Sequence, residues 1–80
     1  MENRIAILGI IVEDRESSGE VNALLHEYGA SIIGRMGLPH YRESCSIITI
    51  VMDSTIDTIN ARWGKLGRLK HVQVKSMMAK

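Results

Sequence analysis

The sequence predicts an α+β domain with elements in the order β-α-β-β-α-β. Three observations predict it. Residues 4–12 and 45–52 are apolar at nearly every position and rich in β-branched residues, the mark of strands buried on both faces. Two stretches carry apolar residues at helical spacing, each between a capping signal and a glycine. Two further stretches alternate in polarity with a period of two, as half-buried strands do. The 80 residues make one domain, 1–80, because a chain of this length is too short for two cores.

The first strand is Arg4-Ile5-Ala6-Ile7-Leu8-Gly9-Ile10-Ile11-Val12. Both of its alternating sets are apolar, and Gly9 suggests a bulge or a close neighbour. Glu13-Asp14-Arg15-Glu16 reads as a charged loop. Ser17-Ser18-Gly19-Glu20 then matches a capping box. Val21, Leu24, Leu25 and Tyr28 form one helical stripe, and Gly29 stops the helix. In residues 31–38, Ile32, Gly34, Met36 and Leu38 share one strand face, and Ser31, Ile33, Arg35 and Gly37 the other. Pro39 should end this strand, since it cannot donate to a ladder. A loop over 39–44 leads to the third strand, 45–52. Ser54 with Asp57 three positions on signals a second helix, whose stripe is Ile56, Ile59, Trp63 and Leu66, closed by Gly67. Residues 71–76 alternate, with Val72, Val74 and Ser76 inward.

This order is the split βαβ, or ferredoxin-like, pattern. The doubly apolar first and third strands belong at the centre of the sheet and the other two at its edges, giving the antiparallel order 4-1-3-2 with both helices on one face. The other face then exposes Ile47, Val51 and half of the first strand. Soluble monomers rarely expose so contiguous an apolar patch, so a homo-oligomer packed through the open sheet face is expected.

The single cysteine, Cys45, excludes a disulfide framework and fits a reducing cytoplasm. No secretory signal pattern is present, and no apolar run approaches the ~18 residues that span a membrane. Charge is unevenly placed. Residues 1–57 hold all nine acids against four arginines, whereas 58–80 hold six basic residues and no acid. Folding can interleave the halves. Otherwise Arg62, Lys65, Arg68 and Lys70 form a basic patch of the kind that binds nucleic acid.

Gly34-Arg35-Met36-Gly37 has the G-x-x-G form of a phosphate-clamping KH loop, but a KH loop joins two helices and here a strand surrounds it. Gly64-Lys65-Leu66-Gly67 is better read as a helix stop, because a helix C-terminus repels anions. His40 and Cys45 flank the predicted hairpin loop and offer imidazole and thiolate to a transition metal. No His or Cys pair has the close spacing of a zinc site, so neither metal nor other cofactor is expected. An enzyme is not expected either. Arg15 neutralises Glu13 and Asp14, Ser17 and Ser18 serve as caps, and no Gly- and Arg-bearing phosphate loop of the acylphosphatase kind follows the first strand.

Three segments carry a resemblance: residues 4–15, then Ile33-Gly-Arg-Met-Gly-Leu-Pro39, then Gly64-Lys-Leu-Gly-Arg-Leu69 with Val72-x-Val-Lys75. They resemble small bacterial proteins described as proposed regulators of the iron-only hydrogenase system, and the similarity spans essentially the whole chain. It implies an ACT-type domain, similar to the C-terminal ligand domain of the nickel-responsive repressor. Such relatives assemble through their sheets and bind small effectors or metal at subunit interfaces. The chain departs from that repressor in lacking a ribbon-helix-helix segment before Arg4 and in its His and Cys spacing. The resemblance therefore implies a non-enzymatic regulatory domain, of the kind associated with transcription, that binds a small effector and partners a hydrogenase-system protein. Glu13, Asp14 and Arg15 with Gly34, Arg35 and Gly37 are the candidate effector residues. Nucleic-acid binding through Arg62, Lys65, Arg68 and Lys70, and metal sensing through His40 and Cys45, stay open as alternatives.

Overall fold

The computed structural model describes residues 2–42 and 45–79, with the side chains of all but 15 and 39–42. Strand β1 (Asn3–Val12) is followed by a 3-10 turn (Arg15–Ser17), helix α1 (Ser18–Glu27) and a second 3-10 turn (Gly29–Ser31). Strands β2 (Ile32–Arg42) and β3 (Cys45–Thr55), helix α2 (Ile56–Gly67) and strand β4 (Val72–Met78) complete the chain. The four strands form one antiparallel sheet in the order β2-β3-β1-β4, which is 4-1-3-2 read from the other edge. The doubly apolar strands are the central ones, as their composition requires.

One set of β1 side chains, Ala6, Leu8, Ile10 and Val12, is fully buried beneath the helices. Ile48, Ile50 and Met52 of β3 and Val72 of β4 join them from the sheet, with Val21, Leu25 and Tyr28 from α1 and Ile59 and Leu66 from α2. Each such large side chain contributes about 1.5–3 kcal/mol on leaving water. Among the described residues nothing forms a layer over the opposite face. Ile5, Ile7 and Ile11 of β1, Met36 and Leu38 of β2 and Met77 of β4 are all exposed there, between 38% and 66%.

Several local expectations are corrected. Pro39 does not end β2, which runs on to Arg42. β2 is an edge strand, and its register shifts between Leu38 and Arg42, so a missing N–H is tolerated there. A second irregularity lies between Ile32, opposite Met52, and Gly34, opposite Val51. This bulge turns Gly34, Met36 and Leu38 to the open face and leaves Ile32 packed against the core, so these four residues do not share a face. β3 continues beyond Met52 to Thr55, because Asn3, Arg4 and Ile5 of β1 extend its ladder. Gly9 sits in unbroken register opposite Thr49 and Lys75, and a Cβ added there would meet nothing within 4 Å.

The helix caps also differ. Ser17 occupies the cap position of α1 but makes no side-chain cap. Its hydroxyl, nearly buried, donates to the Lys70 carbonyl at 2.7 Å and ties the start of α1 to the α2–β4 turn. For α2 the cap is Thr55 rather than Ser54, with Thr55 Oγ1 accepting from the Thr58 N–H at 3.3 Å. Trp63 and Ile56, each 41% exposed, are not core residues. Trp63 reaches outward to β4, where its indole N–H donates to the Val74 carbonyl at 3.4 Å.

Candidate functional site

The candidate effector residues fall in two clusters. The first follows β1. Glu13 N–H donates to the His71 carbonyl at 2.7 Å, and Gln73 donates to the Glu13 carboxylate. The Asp14 carboxylate accepts from the Glu16 N–H at 2.9 Å, and lies 3.8 Å from His71 Nε2. Asp14 therefore holds the 3-10 turn that leads into α1. Of Arg15 only the backbone, within that turn, is described. His71 takes a left-handed conformation (φ 59°), which lets the α2–β4 turn present its carbonyl to Glu13.

The second cluster is on β2. Gly34 lies on the open face opposite Val51, and Gly37 is opposite Ile48. Arg35 points to the helical face, where its guanidinium donates to the Asn22 side chain on α1 at 2.8 Å. Among the described side chains the two clusters do not meet within one chain. Gly37 is two strands from Ile10, about 10 Å, and Glu13 lies three residues further along β1, about another 10 Å. Sequence reasoning missed Asn22, which sits off the apolar stripe and carries no motif.

The basic group is also divided. Arg62 stacks its guanidinium over the Tyr28 ring, 4.2 Å from the centroid, and is half-buried. Lys65, Arg68 and Lys70 are exposed. Burial pushes the Tyr28 phenol up from its ordinary 10.0, and the Arg62 charge opposes the shift. For the metal candidates, Cys45 is a free, half-buried thiol at the start of β3, and the His40 side chain lies outside the described residues. Among the described residues no three His, Cys, Asp or Glu side chains gather in a metal-binding group. Among the described residues, one shallow depression is lined by Glu20, Ala23, Leu24, Glu27 and Leu69 and another by Glu2, Arg4, Ile56 and Asp57, and neither of these includes a candidate effector residue. Among the described residues no helix is long and apolar enough to cross a membrane.

Residues 4–76 match the TM1266-like family, described as proposed regulators of the iron-only hydrogenase system. The chain belongs to this family. It is also similar to a solved structure, that of the uncharacterized protein TM1266 from Thermotoga maritima. The two are 44% identical, the match covers 99% of this chain and 100% of that one, and the TM-score is 0.90. No curated protein matches. The TM1266-like fold thus places β1 and β3 at the centre of a sheet with one face bare, and keeps the two candidate effector clusters apart.

Proposed function

We propose that this TM1266-like chain is a cytoplasmic, non-enzymatic regulatory domain of the iron-only hydrogenase system. It works as a homo-oligomer packed through the open sheet face and binds a small effector between subunits. The observation that carries the reading is the bare face itself. Six exposed apolar side chains lie on one face of the four-stranded sheet, beyond what an isolated soluble domain usually leaves in water. Family membership supports the regulatory role. The candidate effector residues, Glu13, Asp14 and Arg15 after β1 and Gly34, Arg35 and Gly37 on β2, lend this reading less direct support, since Arg35 and Gly37 face the helices and only Gly34 faces the side to be covered. Nucleic acid is the weaker reading, because Arg62 is engaged with Tyr28 and three exposed basic residues remain. Native mass spectrometry of freshly purified protein tests the proposal. It should show an assembly of two or more chains carrying an extra small-molecule mass, reduced when Arg35 is replaced by Ala. Retained transition metal instead of an organic mass would favour His40 and Cys45.

A further inference from the structure

The open face is ordered in rows that run across the strands. The registers set Leu38, Ile47, Ile11 and Gln73 in one row, then Met36, Thr49, Gly9 and Lys75, then Gly34, Val51, Ile7 and Met77. The middle row has a property of its own. Thr49 is flanked one strand away on one side by Met36, which is 66% exposed, and on the other by Gly9, where a side chain is missing and space is open. In the third row Val51 is flanked in the same way by Gly34 and by Ile7, which is 38% exposed. Projection and gap therefore stand at equal distances from β3 in both rows, and in opposite senses.

We propose that a second copy of this chain seats on the open face about a twofold axis running along β3 over Thr49. Met36 of each copy fills the Gly9 gap of the other, and Ile7 fills the gap at Gly34. The inference rests on the reading that copies assemble through this face, and it assigns the register in which they do so. An isologous contact requires one surface to be complementary to itself, and knobs and holes mirrored across one line meet that requirement. Charge placement selects the same line. With the axis over β3, β4 overhangs the partner's β2 edge, so Lys75, Gln73 and Met77 stay in water while the apolar residues of β1, β2 and β3 are covered. The contact is three strands wide and about seven residues long. With side-chain relief it covers roughly 600 Å² a side, at the low end for specific interfaces. Two pairings are less favourable: Asp53, which lies on β3 beyond Val51, meets its own counterpart at the end of the axis, and in the first row Leu38 of one copy meets Ile11 of the other, two projecting side chains with no gap between them.

Gly9 makes the test clean. No described residue comes within 4 Å of its missing Cβ, and β-branched residues favour strands. Gly9→Val should therefore fold at least as well as the wild type, as read by circular dichroism and melting temperature. By sedimentation equilibrium over a micromolar dilution series, the same variant should associate at least tenfold more weakly. Met36→Ala, which alters only an exposed side chain, should also weaken association. Combining it with Gly9→Val should recover part of the loss, since the knob that meets the filled hole is then gone. Asp53→Asn should tighten the assembly. If the wild type associates but Gly9→Val and Met36→Ala associate equally well, the register is wrong and the face reading survives. A monomeric wild type overturns both.

Discussion

Tyr28 shows how one residue combines several effects. It is wholly buried at the end of α1, its hydroxyl has no partner among the described residues, and the Arg62 guanidinium covers its ring. The folded phenol has a raised pKa, chiefly through burial. The neutral form is the one the fold favours, so its contribution is fully present below the ordinary value of 10.0. It is lost as pH rises through the raised folded value. Tyr28→Phe keeps the ring and its cation contact and deletes an unpaired hydroxyl. Its stability in urea at neutral pH should lie within about 1 kcal/mol of the wild type, and its alkaline loss of stability should be smaller. A loss above about 2 kcal/mol would show that the hydroxyl has a partner. The sequence revealed Tyr28 as core, because it completes the apolar stripe of α1. It gave no sign of Arg62 above it, because the two residues lie on different helices and no local pattern joins them.

At the scale of elements, the caps and the bulge separate what was legible from what was not. The helices were legible from their apolar spacing and from cap signals that fell within a residue of each start, although neither predicted serine cap forms. The choice between Ser54 and Thr55 as cap was not, since it depends on how far the β1–β3 ladder extends before α2 begins. Thr55→Ala should cost about 1 kcal/mol and Ser54→Ala only a few tenths, measured by thermal unfolding of each variant. The reverse order would restore Ser54 as the cap. The central positions of β1 and β3 followed directly from their composition, whereas which of the two apolar sets of β1 faces the helices did not. The face of β2 did not either, because one bulge residue between Ile32 and Gly34 reverses every side chain after it. Likewise, Pro39 reads as a strand end in any single sequence. It is tolerated here by virtue of its edge position, which only the topology supplies. The effector candidates met the same limit. Glu13 and Asp14 were rightly placed beside the end of β1, but Arg35 could not be assigned to the helical face before the bulge was known.

For the whole molecule, the dominant feature is a sheet with helices on one side and water on the other. The apolar residues of that bare face are interspersed with few charges, Asp53, Lys75 and the Glu13–Gln73 pair marking its border. Both outer edges are blunted: Trp63 takes the Val74 carbonyl at the β4 edge, and the bulge and Pro39 interrupt β2. The fold thereby discourages edge-to-edge growth and leaves the face as the surface to be covered. β4 lies beside β1 and brings His71 and Gln73 to Asp14 and Glu13.

The central claim is that the open face is an interface between copies, and size-exclusion chromatography with light scattering at micromolar concentration tests it most directly. Val51 projects from the centre of that face, away from the helices, so Val51→Lys places a charge in the contact while leaving the core of the monomer intact. The wild type should elute at the mass of a dimer or larger, and Val51→Lys should elute as a folded monomer or become insoluble. A wild-type chain that stays a stable, soluble monomer across the concentration range would contradict the account.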